Sequence, residues 1–153
     1  MSQIQRSRSV VQMDDLVEEV CWRLVSQEPV ARIGFVNDDG PQILPVNFAL
    51  VGHTVVVRTS KGSMLDAMST GQVVVVEVDA LDDALRTGWS VIIRGHVEEL
   101  NPDLLPLIEN TVRPWAGGEK DRWFCVRPAT ITGRAISRPD EEPTPQLPYM
   151  PPD

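Results

Sequence analysis

At 153 residues, of which 42% are hydrophobic and 24% charged, the chain has the size and composition of one soluble globular domain, and these values exclude the intrinsically disordered class. Its net charge of −8 disfavours non-specific nucleic-acid binding, which depends on Lys and Arg contacts to phosphates. No apolar run approaches the roughly 18 to 20 residues that span a bilayer, and the first residues lack an apolar signal region, so we expect a cytoplasmic protein that binds no membrane.

The first element predicted is an amphipathic helix in MDDLVEEVCWRLVSQEP. Its apolar residues recur at helical spacing, and Pro29 follows its end. Its acidic residues would fall in the first turns, where the helix dipole favours negative charge; they are Asp14, Asp15, Glu18 and Glu19. The pattern therefore predicts a helix that begins near Asp14.

Six strand-like segments follow, and their apolar residues recur at a period of two. The turn NDDG between the first two is typical of a β-hairpin, and a second tight turn surrounds Gly52. The segments are VARIGFV, QILPVNFAL, TVVVRTS, QVVVVEVDA, GWSVIIRGHVEEL and DRWFCVRPATITGRAI. Short connections favour antiparallel pairing, and a closed barrel would remove the exposed edges of such Val-rich strands. The prediction is a mainly β protein, an antiparallel barrel with a few short helices.

Within this pattern, QVVVVEVDA is apolar on both faces until Glu77, which predicts a central strand covered on both sides. The next strand alternates between an apolar face and a polar one that carries Ser90, Arg94 and His96. A short helix is predicted after Asn101, with Pro102 in its first turn. We divide the chain into an N-terminal arm (1–12), the barrel domain (13–137) and a Pro-rich acidic tail (138–153).

Neither cysteine suggests a metal site or a disulfide framework. Cys21 and Cys125 are far apart and belong to no CxxC motif or His cluster, so each is expected to be a small buried apolar side chain. No arrangement of Ser, His and Asp, or of Cys and His, indicates nucleophilic catalysis. We assign no catalytic acid or base from the sequence.

The segment VVVRTSKGSMLDAM passes from a strand to a helix through hydroxyl groups, a glycine and two cations. Ser63 followed by Asp66 fits a helix N-cap, which would explain the pattern by structure alone. Free N–H groups at a helix N-terminus also bind anions, and Arg58 and Lys61 would add positive charge for a phosphate. Both interpretations agree with the residues.

The order of four segments resembles the FMN-binding split-barrel family of pyridoxamine 5′-phosphate oxidase-like proteins, in the branch with nitroimidazole-resistance-type proteins. The segments are PVARIGFVNDDGPQILPVNFAL, VVVRTSKGSMLDAM, VVVVEVDALDDALRTGWSVIIRGHVEEL and DRWFCVRPATITGRAI, which together cover about residues 13–137. The resemblance implies a six-stranded split β-barrel that forms a homodimer, with flavin sites in the grooves between subunits.

The resemblance also implies which residues bind FMN. The cofactor phosphate would contact the residues after the third predicted strand, namely Arg58, Thr59, Ser60, Lys61 and Ser63. The edge of the isoalloxazine ring would meet Pro45, Val46 and Asn47, and Trp89 and Ser90 would line the groove. The implied activity is that of an oxidoreductase that transfers hydride or electrons between a reduced nicotinamide and a small acceptor.

Two alternatives remain open at this stage. Relatives often have Lys where this chain has Met64, which leaves room for the deazaflavin F420 and an F420-dependent reductase. A flavin- or haem-binding protein without turnover is the other alternative. Glu77 and Trp115 are further candidates for contacts to a ligand or to a partner subunit.

Overall fold

The computed structural model describes residues 12–60, 71–108 and 122–137. These residues form seven strands, two α-helices and a short 3-10 turn, Pro102–Leu104, that precedes the second helix. The strands and helices are β1 (Gln12–Leu16), α1 (Glu18–Val25), β2 (Val30–Asn37), β3 (Gly40–Val51), β4 (Thr54–Thr59), β5 (Val73–Asp82), β6 (Thr87–Glu99), α2 (Leu105–Ile108) and β7 (Arg122–Ser137). The predicted mainly β class is confirmed. The helix predicted at Ser63, Trp115, the N-terminal arm up to residue 11 and the tail from residue 138 lie outside the described residues.

Six of the strands close into a ring. Neighbours pair in the order β4, β3, β2, β5, β6 and β7, all antiparallel, and β7 pairs with β4 again to complete the circle. Side chains that alternate along each strand point into the ring and form one apolar core, centred on fully buried residues such as Ile33, Val57, Val76 and Ile93. The predicted six-stranded split barrel is therefore confirmed.

The split lies along one edge of the long strand β7. The first residues of β7, as far as Val126, pair with β4, and its last residues, from Gly133, pair with β1. Between these two ladders, neither β4 nor β1 pairs with that edge of β7. Helix α1 packs against β7, and its buried residues Cys21, Trp22 and Val25 belong to the barrel core.

The start of α1 differs from the prediction. Asp14 and Asp15 were expected in the first turn of the helix, but they lie in β1, where they pair with Ala135 and Arg134. The helix begins at Glu18. Backbone pairing with β7 outweighs the local preference of acidic residues for a helix N-terminus, because strand formation depends strongly on the neighbouring strand.

Other local predictions are confirmed, with one exception. The NDDG turn joins β2 and β3 through Asn37 and Gly40, and Asn101 caps the 3-10 turn by accepting a hydrogen bond from the Asp103 N–H at 3.0 Å. Strand β5 is central, between β2 and β6, but its outer face is not fully covered, since Val73 is 62% exposed. Alternation in β6 follows the prediction.

Both cysteines are buried and unpaired, as expected. In the described ranges there is no cluster of side chains that would hold a metal ion, and no helix is long and apolar enough to cross a bilayer. A second small cluster, formed by Val56, Ile108 and Cys125, joins α2 to the outer face of β4 and β7.

Candidate functional site

The end of β4 presents a guanidinium group on the outside of the barrel. Arg58 pairs in register with Trp123 of β7, and its guanidinium carbon lies 5.1 Å from the centre of the Trp123 ring. Stacking on an aromatic face restrains an Arg side chain, and the guanidinium group has the planar geometry that suits a phosphate. Arg58 is thus a half-buried, oriented cation at the place where a phosphate was predicted.

The neighbouring residues of the predicted phosphate site differ in their placement. Thr59 points into the barrel and is 6% exposed, while Ser60 follows the strand and is half-buried. Lys61 and Ser63 lie outside the described residues. Within Arg58–Ser60 the donor set, a guanidinium and a hydroxyl with no carboxylate, fits a phosphate group.

Strand β3 brings two predicted ring contacts to the same outer face as Arg58. Pro45 and Asn47 point outward, whereas Val46 is 8% exposed and belongs to the core. Phe48 and Val57 form the last pair of the β3–β4 ladder, so Asn47 and Arg58 are the next residues beyond it. The Asn47 side-chain amide donates to the Pro29 carbonyl at 3.3 Å, which fixes its orientation.

The strand register extends the same outer face from β3 across β2, β5 and β6. We call the outward-pointing residues at this height of the barrel the outer row. Pro45 pairs with Arg32, Arg32 with Glu77 and Glu77 with Ile92. Beside them, Asp79 pairs with Ser90. The outer row is Arg58, Asn47, Pro45, Arg32, Glu77, Asp79 and Ser90. Three strand intervals, about 14 Å, separate Asn47 from Ser90.

Ser90 opens into a surface groove of about 670 Å³ between β1, β6 and β7. Ile92, Arg94, Thr132 and Arg134 also line this groove. Its volume is within the range of sites for small ligands. Trp89, the other residue predicted there, is on the opposite face of β6 and packs against the core.

An ion-pair cluster occupies the middle of the outer row. One nitrogen of Arg32, Nη1, lies 3.2 Å from Glu77 Oε2 and 3.4 Å from Asp79 Oδ1. Burial raises the pKa of Glu77, and the hydrogen bond and negative charge of Asp79 raise it further, while Arg32 opposes the increase. The carboxyl group of Glu77 therefore takes up a proton more readily than an ordinary surface Glu.

The sequence suggested only some of these positions. The strand assignments and the resemblance indicated Arg58, Asn47 and Ser90, and the resemblance also made Glu77 a candidate for a contact to a ligand or a partner subunit. Arg32, Thr132 and Arg134 were not identified. The only sequence signal for Arg32 is its place at an outward position of β2, a place that ordinary surface residues share.

Comparison with known proteins identifies the family. A model of the family described as pyridoxamine 5′-phosphate oxidase matches residues 17–135. An uncharacterized protein of Mycobacterium tuberculosis, Rv0080, is 30% identical in an alignment of 138 positions that covers 86% of this chain and 89% of that protein.

Two solved structures share the fold. The FAD binding protein from Mycobacterium smegmatis is 29% identical with a TM-score of 0.64, over 81% of this chain and 98% of that one. A candidate 5-nitroimidazole antibiotic resistance protein from Bacteroides thetaiotaomicron has a TM-score of 0.64 at 14% identity, over 83% of this chain and 89% of that one. The closed ring of six strands, the match over most of the barrel and the agreement with these structures lead to one conclusion: the chain belongs to the pyridoxamine 5′-phosphate oxidase-like family of flavin-binding split-barrel proteins.

Proposed function

We propose that the protein is a homodimeric FMN-binding oxidoreductase that transfers hydride or electrons between a reduced nicotinamide and a small acceptor. FMN would supply the redox chemistry, while the chain binds and orients it. One observation carries the proposal. Groups suited to a flavin lie at both ends of the outer row, with Arg58 and Asn47 at one end and the Ser90 groove at the other. Within one protomer these two ends are separated. A second copy would bring its Ser90 groove to the Arg58 side. We also propose that this dimer acts in the cytoplasm.

A second cofactor is supported by a specific likeness. The Mycobacterium smegmatis protein that is 29% identical over nearly its whole length is an FAD binding protein. FAD contains the same isoalloxazine ring and a phosphate at the same place on its ribityl chain, so the end of β4 would bind it in the same way. F420 as the cofactor and a binding role without turnover remain predictions. The cofactor titrations and the turnover assay described below test them.

The phosphate assignment is tested with Arg58→Met, which keeps an aliphatic chain over Trp123 and removes the charge. Hydrogen bonds to a charged group contribute about 1.5–3 kcal/mol, so the FMN Kd should rise about 10- to 100-fold. The affinity for riboflavin, which lacks the phosphate, should change little. Arg127→Met, on an exposed arginine paired with Glu98, serves as the control.

Equal FMN affinity in wild type and Arg58→Met would contradict this phosphate site. Loss of both FMN and riboflavin binding, together with a lower melting temperature, would instead show damage to the fold. Comparative titration with FMN, FAD and F420 ranks the cofactors. Steady reduction of an acceptor by NADH or NADPH, above the rate with free cofactor, would support an enzyme over a carrier.

Subunit complementation tests the shared site. Arg58→Met alters one side of the site, and Ser90→Phe would block the groove on the other. If each site combines the two sides from different subunits, a mixed dimer contains one intact site and one with both changes. Mixing the variants should therefore restore FMN binding to up to half of the sites, and mixed dimers without any recovery would contradict the shared arrangement.

A further inference from the structure

The groove between β1, β6 and β7 extends well beyond its Ser90 end. Ser90, Ile92 and Arg94 alternate along β6, so all three point to the same outer face, and all three line the groove. Arg94 is four positions beyond Ser90, which corresponds to about 13 Å along a strand. The groove of about 670 Å³ therefore has a second end, at Arg94, that is separate from the Ser90 end assigned to the flavin.

Between these two ends the groove offers an apolar surface with hydroxyl groups beside it. Ile92 is directly opposite Thr132 of β7, and both residues line the groove. Leu16 and Ile131, which are partly buried against the barrel core, add further apolar surface. Binding sites for small molecules combine an apolar lining with a few polar groups in this way. The middle of the groove is therefore suited to a flat aromatic ring.

Arg94 supplies a positive charge at its end of the groove. In the part of the chain that the structure describes, this exposed side chain forms no ion pair. Its direct neighbours across the ladders, Val75 and Thr130, are uncharged. Arg134 at the opposite end differs, because its Nε lies 3.7 Å from Oδ1 of Asp15, a carboxylate that also lines the groove. Opposite charges at that distance offset each other, so an anion is favoured at the Arg94 end.

The acidic residues on the strands around Arg94 have other partners. Glu77 lies one level away along β5, and its Oε2 is 3.2 Å from Nη1 of Arg32. Glu98 lies four positions further along β6, and its Oε1 is 3.3 Å from Nε of Arg127. Each of these carboxylates is therefore held by a different arginine, and the charge of Arg94 stays available to a ligand in the groove.

We propose that the Arg94 end of the groove binds the acceptor of the oxidoreductase, and that this acceptor is a flat aromatic molecule with a carboxylate. The inference rests on the proposed function. The Arg94 guanidinium would bind the carboxylate, and Ile92 would contact the ring. In the proposed dimer two subunits hold the flavin, but the whole groove belongs to one subunit. The path from Ser90 to Arg94 is therefore the same however the two copies meet, and it brings the acceptor beside the flavin ring.

The first test measures binding and needs no turnover. The probes are 2-naphthoate and its uncharged analogue 2-naphthamide, titrated into FMN-loaded protein and followed by ligand-observed NMR. The carboxylate should bind about 5- to 10-fold more tightly than the amide, and Arg94→Gln should remove this preference, because the charged contact lies at a partly exposed site. Affinity for the amide should change little. High salt should weaken binding of the carboxylate alone.

Three further variants separate the parts of the groove. Arg127→Gln is the matched control, since it removes an exposed arginine of β7 outside the groove, and it should keep the wild-type preference. Ile92→Ser should weaken both probes by a similar factor, because both have the same ring. Arg134→Gln should keep the preference for the carboxylate. Loss of that preference in Arg134→Gln but not in Arg94→Gln would overturn the assignment of the anion to the Arg94 end.

The second test compares two acceptors with FMN-loaded protein, 1,4-naphthoquinone-2-carboxylate and the corresponding carboxamide. Arg94→Gln should raise the KM for the carboxylate about 5- to 10-fold and leave the KM for the carboxamide near the wild-type value. The KM for the reduced nicotinamide should not change. A higher KM for NADPH, with that for the carboxylate unchanged, would show that Arg94 recognises the phosphate of the donor and would overturn the inference.

The outcomes also separate this inference from the proposed function. Equal affinity for 2-naphthoate in wild type and Arg94→Gln would overturn the inference while the flavin site stands. Complete displacement of 2-naphthoate by FMN would show that the cofactor fills the whole groove, and it would overturn the inference as well. If the protein binds no flavin or shows no turnover, the proposed oxidoreductase fails. The acceptor assignment then fails with it, even where 2-naphthoate binds through Arg94.

Discussion

The contact between α1 and β7 at the split of the barrel predicts a measurable loss of stability in Gly133→Ala. A Cβ atom at residue 133 would lie 2.6 Å from Cys21 Sγ and 3.1 Å from Val91 Cγ2. Optimal separations are about 3.5–4.0 Å, so α1 or β7 must shift by about 1 Å. Cys21 is fully buried and belongs to the barrel core, and protein interiors are close-packed.

Overpacking of this kind costs about 1–3 kcal/mol, and replacing a strand glycine offsets about 0.5–1 kcal/mol of it. We expect a net loss of about 1–2 kcal/mol in the free energy of unfolding, which corresponds to a melting temperature lower by about 2–8 °C for a chain of this size. Urea unfolding followed by tryptophan fluorescence measures the loss, and circular dichroism gives the melting temperature.

Two further variants test the packing of α1 on β7. Gly34→Ala is the matched control, because the nearest atom to its added Cβ is 3.7 Å away, and it should be neutral or slightly stabilising. Cys21→Ala removes the clashing sulfur, so Gly133→Ala should cost less in that background than in the wild type. Gly133→Ala with wild-type stability, or the same cost in both backgrounds, would refute the proposed packing of α1 on β7.

The remaining predictions concern other parts of the barrel. His53→Ala should lower the unfolding free energy by about 0.5–1.5 kcal/mol and change the emission of Trp22, because the two rings stack with centroids 4.3 Å apart; unchanged emission and stability would contradict this contact. Gly95→Ala should be destabilising in thermal melts, since its Cβ would meet the Arg127 carbonyl oxygen at the β6–β7 bulge, and wild-type stability would show that the bulge can adjust. Folding raises the pKa of Glu77, so at pH values between its unfolded-state and folded-state pKa the folded protein binds more protons than the unfolded chain. The stability that this group contributes should therefore be lost as the pH rises through that interval. Urea titrations of wild type and Glu77→Gln at several pH values measure this contribution, and parallel pH dependences would contradict it.

Much of the fold could be predicted because its local and long-range preferences agree. Period-two segments, the NDDG turn and the proline after Asn101 each indicate an element that the barrel requires. The start of α1 was wrong because Asp14 and Asp15 are typical of a helix N-terminus, while β7 offers them a backbone partner more than a hundred residues away. A pattern confined to one short segment contains no information on such a partner.

The candidate site could be predicted less completely for the same physical reason. Arg58 and Asn47 follow from the family resemblance, but the contact between Arg32 and Glu77 depends on the β2–β5 register and spans 45 residues. Val73, which was expected to be covered but is exposed, shows a second limit of prediction from the sequence. An apolar run indicates that a strand face can be covered, but it does not state whether the same protomer covers it.

The flavin site is tested most directly by the visible absorption spectrum of freshly purified protein, followed by mass identification of the small molecule that heat releases. We expect the absorption bands of a bound flavin, release of FMN or FAD, and uptake of added FMN by any cofactor-free fraction. A colourless protein that binds neither added FMN nor added FAD would contradict the claim that this barrel retains a flavin site.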